Sequence, residues 1–211
     1  MNWSSYASYL AFAIMLVLVP GADFTVIVRN TLTGGARRGG WSAVGVASSN
    51  ACQGLAAVTG LGAVIVHSQP LFHAIKWAGI AYLAFLAVQA IRSAWAGRYD
   101  SLPIQHPGGR GVGAQRRAGW REGFLSNITN PKVLVFYLAV LPQFVGPSTP
   151  FVVLLVFALS HAVLSLTYLL LVVAGLHRVR QVLSRRRVRR ALDAVTGTVL
   201  LGFGARLAVD Q

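Results

Sequence analysis

The chain has 211 residues, 55% of them hydrophobic and 11% charged, and 19 Lys and Arg against 5 Asp and Glu give a formal net charge of +14. So apolar a composition leaves no room for a separate soluble domain, and the basic excess does not mark a nucleic-acid binder, because it is gathered in three short zones between apolar stretches. The single cysteine, Cys52, excludes an internal disulfide and a two-thiol redox relay.

Six apolar stretches succeed one another at about 6–28, 41–66, 71–91, 123–145, 151–176 and 191–209. A helix rising about 1.5 Å per residue needs roughly 20 residues to cross a hydrocarbon core of about 30 Å, and each stretch has that length. The chain is therefore predicted to be an all-α integral membrane protein with six transmembrane helices. The sixth is the least apolar, since Asp193 and Arg206 stand near its ends. The first has neither a basic flank nor a small-residue cleavage site, so it reads as a retained helix and not as a signal peptide.

The first stretch is interrupted by Pro20-Gly21-Ala22-Asp23. Proline has no amide hydrogen, so the carbonyl of Leu16 loses its usual donor, and Gly21 lets the backbone open. Asp23 follows as an acid deep within an apolar run. In the second stretch Asn50 and Gln53, three apart, share a helix face and are candidates for lining a cavity or joining helices. Lys76, near the start of the third, can snorkel to headgroups, and Trp41 and Trp77 read as interfacial anchors.

The segment at about 95–118 contains Pro103, Pro107 and the glycines Gly108, Gly109, Gly111 and Gly113, and reads as a linker between a first half at about 1–93 and a second at about 119–211. Its Gly-Gly-Arg-Gly-Val-Gly run lacks the Lys-Ser/Thr pair, preceding strand and following helix start of a phosphate loop. No nucleotide site or other cofactor is expected, so any work must draw on a gradient.

The fourth stretch is interrupted by Asn127-Ile128-Thr129-Asn130-Pro131-Lys132. Pro131 frees the carbonyl of Asn127, and Asn130 is biased toward extended geometry as the residue before proline. A charge at the bilayer centre costs about 2.5 to 3.5 kcal/mol on insertion scales, so Asp23 and Lys132 are expected to face protein or a wet cavity. The bland reading is a buried ion pair locking the halves together. The functional reading is a zwitterion site built from a carboxylate, an ammonium and the backbone groups that the breaks expose.

In the fifth stretch His161 either titrates during transport or simply bonds a neighbour such as Ser165. The remaining histidines lie near connectors without ligand spacing, so no metal site is expected. The sequence offers no paired aspartates and no His-Glu-x-x-His, which argues against an intramembrane enzyme. In the sixth stretch Ala194, Thr198 and Gly202 put a small residue at every fourth position, a pattern for close helix approach within one molecule or between two.

The basic zones are Arg29, Arg37 and Arg38; then six arginines from Arg92 to Arg121; then the run from Arg178 to Arg190. They follow stretches one, three and five, whereas the connectors at 67–70 and 142–150 hold no Lys or Arg. The positive-inside rule places the basic loops in the cytoplasm beside anionic lipid and both termini outside. Three crossings per half force the second half to enter from the opposite side, so the two halves are predicted to be inverted-topology repeats. Inverted repeats with broken helices near the membrane centre are a common plan of secondary transporters.

These residues resemble the lysine exporter and homoserine/threonine resistance (LysE/RhtB) translocators. The likeness rests on Pro20-Gly21-Ala22-Asp23-Phe24 followed by Arg29-Asn30 and Gly39; on Gly60-Leu61-Gly62; on Lys76, Gly79 and Ala81-Tyr82-Leu83; on Gly123-Phe124 and Asn127 to Lys132; and on Leu141-Pro142-Gln143-Phe144. It implies a small bacterial inner-membrane exporter of an amino acid, driven by a proton or sodium gradient, and in many members a homodimer. The chain departs from the family pattern at Ala22, where a second proline is usual. It also departs at Ser49 and Gln53, where Gly and His are frequent, and at His161, where Asp is frequent. The alternative expectation is export of a metal cation or cationic toxicant on the same scaffold. The residues expected to bind substrate or couple the ion are Pro20, Gly21, Asp23, Asn127, Asn130, Pro131 and Lys132, with Asn50, Gln53 and His161 lining the cavity.

Overall fold

The computed structural model describes residues 3–67, 69–96, 112–145, 149–176 and 186–209. Most of the linker expected at 95–118 and the arginines from Arg178 to Arg185 lie outside them, as do the side chains of Lys76 and Arg206. The helices are α1 (Trp3–Leu18), α2 (Ala22–His67), α3 (Gln69–Ala96), α4 (Val112–Ile128), α5 (Pro131–Val135), α6 (Phe151–Ala174) and α7 (Arg186–Val209). Between α5 and α6 the chain passes through a π turn, Phe136–Val140, and a 3-10 turn, Leu141–Phe144.

Both proline motifs break their helices as expected. α1 and α2 meet at a bend of 51° across Pro20 and Gly21, and α4 and the segment from Pro131 meet at 54°. Among the described residues two helices are long and apolar enough to cross a membrane, or up to four if each bent pair is one span.

The 46 residues of α2 do not run straight. Gly35 has φ 74° and ψ 177°, a region open essentially only to glycine, and the helix turns back there. The reversal is visible in contacts that a straight helix forbids. Asn30 Nδ2 donates to Ser42 Oγ at 2.7 Å across twelve positions, which would lie about 18 Å apart along a continuous axis. Gly39 packs on Thr31 so closely that a Cβ there would collide with it. Arg29 and Arg38, one on each arm, both reach Glu122 of α4, at 3.0 and 2.7 Å.

The second arm of α2 lies against α4 backbone to backbone. A Cβ on Gly45 would strike the Trp120 carbonyl, and one on Gly123 the Ser42 carbonyl. Gly119 and Gly123 thus form a glycine face four residues apart that admits the neighbouring helix. α7 packs on α3, with Gly197 seated on Ala87 and Ile91. The Ala194, Thr198 and Gly202 positions are exposed, so this face is not the one that holds α7 to the rest of the chain.

Two apolar cores flank the breaks. One gathers Tyr9, Phe12, Phe136, Tyr137 and Phe157, with Tyr9 Oη donating to the Phe157 carbonyl and Tyr6 hydrogen-bonded to Ser160 at 2.7 Å. The other joins Ile27, Val28 and Val46 to Leu169 and Val172 of α6. The broken helices and their polar groups stand between them.

Candidate functional site at the paired helix breaks

The second break is shaped by its own sequence. Asn130 is extended, with φ −81° and ψ 107°, and its Oδ1 accepts from the Lys132 backbone N–H at 3.1 Å, capping α5. Pro131 occupies the first helical turn, where its missing N–H leaves no gap. The cap also faces the first break, because Asn130 Nδ2 donates to Asp23 Oδ2 at 2.9 Å.

Asn127 donates to the same oxygen at 3.1 Å. Its carbonyl, deprived of a helical donor by Pro131, accepts from Gln53 Nε2 at 3.0 Å, and its Oδ1 accepts from the same group at 3.2 Å. Gln53 also meets Ser49 Oγ at 3.3 Å. The proline break is thus closed by a backbone turn, the Asn130 N–H donating to the Asn127 carbonyl at 2.9 Å, and by one amide from α2 that reaches both oxygens of Asn127.

Lys132 makes no ion pair with Asp23 within 4.0 Å among the described residues, so the locking salt bridge considered above is not formed. Its Nζ donates instead to the Val19 carbonyl at 3.1 Å, one of the groups opened by the first break. The two breaks are thus stitched in both directions. Amides of the second hold the acid of the first, and the ammonium of the second holds a carbonyl of the first.

Asn50 and His161 are buried beside this network, and neither the Asn50 amide nor His161 Nδ1 has a hydrogen-bond partner. The Ser165 bond considered for His161 is thus absent at Nδ1; the ring packs on Phe136, with centroids 4.3 Å apart, and edge-on to Tyr137. Asp23 Oδ1 is likewise without a partner. Buried polar atoms are nearly always satisfied, so open ones around one cavity single it out as a candidate site for a water, an ion or a polar group.

Among the described residues, three cavities lie around the breaks. The smallest, about 30 Å³, lies among Asp23, Asn50, Asn127, Lys132 and His161. The largest, about 330 Å³, lies between the breaks and α3 and α7, and its polar walls are Tyr82, Gln89, Asn130, Lys132 and Asp193. An apolar groove of about 160 Å³ between α1 and α7 adjoins it through Leu16, Val19 and Leu200. Of the residues expected from the sequence, Asp23, Asn127, Asn130, Lys132, Asn50, Gln53 and His161 come together here, and Pro20, Gly21 and Pro131 line the largest cavity.

Sequence reasoning treated Asp193 only as a blemish on the last span, and it passed over Glu122 and the Gly119-x-x-x-Gly123 spacing. The last was legible as a small-residue repeat. Asp193 was not, because nothing local says which face of α7 meets α3.

Residues 14–211 match the model of the LysE type translocator family. The chain belongs to that family. It is similar, at 28% identity over 98% of its length and 99% of the relative's, to a Bacillus subtilis protein described as uncharacterized membrane protein YrhP. It is likewise 28% identical, over 98% of its length and 96% of the relative's, to the leucine efflux protein of Klebsiella pneumoniae. The leucine efflux protein of Salmonella typhimurium is 25% identical over the same shares of the two chains. No solved structure matches the chain. Family membership makes the protein a multi-pass membrane transporter, not an enzyme, with a small-molecule substrate.

Proposed function

We propose that the protein is a secondary active exporter that moves an amino acid or close derivative out of the cytoplasm across the inner membrane. Its six spans would form two inverted three-helix repeats that rock about the breaks at Pro20 and Pro131, driven by a proton or sodium gradient. The observation that carries this reading is the meeting of the two breaks: Asp23 Oδ2 is held by Asn127 and Asn130 while Lys132 holds the Val19 carbonyl. Opposite charges and open backbone groups at one level of the molecule suit a zwitterion. The apolar groove beside the largest cavity, and relatives that carry the name leucine efflux protein, favour an aliphatic amino acid.

Bacteria loaded with dipeptides that hydrolyse to single amino acids provide the test. Cells carrying the native chain should release at least one amino acid faster than cells carrying Asp23→Asn at equal membrane abundance. Equal release from both would remove Asp23 from the mechanism. No release above background from the native chain would end the amino-acid reading and turn attention to metal and toxic cations.

A further inference from the structure

The cavities on the two sides of Lys132 differ in a way that separates two ligands. They have Leu16, Val19, Gly21 and Lys132 in common, and the bond from Lys132 Nζ to the Val19 carbonyl joins two of these shared residues. Asp23, Asn50 and His161 line only the smaller space, and Asn130, Gln89, Tyr82 and Asp193 only the larger.

Size decides what each admits. The smaller cavity, about 30 Å³, exceeds the roughly 10–15 Å³ that one water needs and is about a tenth of the larger. It has room for a few waters or a cation, and the larger one is the better match for an amino acid. Asp23 offers it one oxygen, since Oδ2 is already engaged by two amides while Oδ1 is open. The other unpartnered atoms around it, on Asn50 and at His161 Nδ1, add neutral ligands of the type that accompany a carboxylate at a cation or a proton relay. The titratable groups facing Asp23 across that space are Lys132, His161 and Tyr168.

The larger cavity, about 330 Å³, lies in the range of small-molecule sites, and its walls carry both signs of charge. Lys132 and the Asn130 amide stand at the breaks, and Asp193 comes from α7. Lys132 can donate three hydrogens, of which Val19 takes one, so donors remain for a carboxylate.

We infer that coupling ion and substrate bind in separate cavities on either side of Lys132: the cation beside Asp23, Asn50 and His161, and the amino acid against α3 and α7, with its carboxylate at Lys132 and its ammonium group at Asp193. The inference rests on the export reading and divides between two acids a role that Asp23 alone would otherwise carry. Lys132 then senses both ligands, which gives a physical route by which the ion changes the affinity for substrate.

The test uses the full chain purified in detergent, with leucine and its des-amino analogue 4-methylpentanoate as probes. Two readouts are taken by calorimetry. One is the preference for leucine over the analogue, which reports the ammonium contact; the other is the change in leucine affinity when pH or sodium is varied. Asp193→Asn should weaken leucine binding by about tenfold and collapse the preference, with the ion response retained. Asp193→Glu should restore most of the preference. Asp23→Asn should keep the preference within about threefold of native and lose the ion response. The crossed result, in which Asp23→Asn abolishes the preference and Asp193→Asn leaves it, overturns the inference while leaving export intact. A native chain that binds leucine with no response to either ion overturns the ion cavity. A native chain that binds no amino acid ends the export reading and this inference with it.

Discussion

Gln53 holds both oxygens of Asn127 from another helix. Pro131 removes the usual helical donor of the Asn127 carbonyl, and the Asn130 N–H, in a tight turn, and the Gln53 amide both donate to it. The same amide reaches Asn127 Oδ1, so Gln53 also sets the side chain that donates to Asp23. Leucine at position 53 keeps the bulk and removes the donor, leaving the buried Asn127 Oδ1 without its partner at a cost of about 1 to 3 kcal/mol. At about 2 to 4 °C per kcal/mol for a chain of this size, Gln53→Leu should lower the melting midpoint in detergent by several degrees. Efflux should fall as well, because Asn127 is no longer held toward Asp23. Gln53→Glu, which keeps an acceptor where a donor is needed, should fare no better than leucine. An unchanged midpoint in Gln53→Leu would mean that water satisfies Asn127 Oδ1 and that the amide has no structural role.

At the scale of elements, the proline breaks were legible because proline acts through its own missing N–H and needs no partner to be identified. Asn127, Asn130, Asp23 and Lys132 were legible for a related reason: polar groups in apolar runs must face something polar. What Lys132 faces was not legible. Charge alone pairs it with Asp23, whereas the fold places a freed carbonyl, that of Val19, within reach. The reversal at Gly35 falls in the connector expected between the stretches at 6–28 and 41–66, where Gly34-Gly35 is a turn signal; what was not legible is that helix continues close to the turn on both sides. The arm beyond that turn depends on glycine in a different way, through approach and not through conformation. Gly123 lies so near the Ser42 carbonyl that even a methyl group has to displace backbone. Gly123→Leu should therefore force the second arm of α2 off α4, lose folded protein from the membrane and abolish export. Gly60→Leu, at a glycine with open space around it, serves as the control and should be tolerated. Equal accumulation of the two variants would refute close packing of α2 on α4.

For the whole molecule, contacts at the two ends bear on how it lies in the membrane. Arg29 and Arg38 meet on Glu122 beside the Gly35 turn, and the Arg116 guanidinium lies over the Trp41 ring, 4.7 Å from its centre. Residues of the first two basic zones thus come together at one end. Tyr6 on Ser160 and Tyr9 on Phe157 bring the start of α1 and the first half of α6 together on the other side of the breaks, away from those arginines. Basic loops held in the cytoplasm, as the positive-inside rule expects, would put this end there and the amino terminus outside. Six crossings then return the carboxyl terminus to the outside as well, whereas five spans plus a surface-lying α7 would leave it in the cytoplasm. Fusion of alkaline phosphatase after Gln211 distinguishes the two, since that enzyme is active only outside the cytoplasm, and a green fluorescent protein fusion at the same place gives the complementary signal. The six-span arrangement requires an active phosphatase and a dark fluorescent protein. The reverse pair would place α7 along the cytoplasmic surface, and with it Asp193 out of reach of a substrate held between the breaks, so that one topology measurement bears at once on the repeat architecture and on the site.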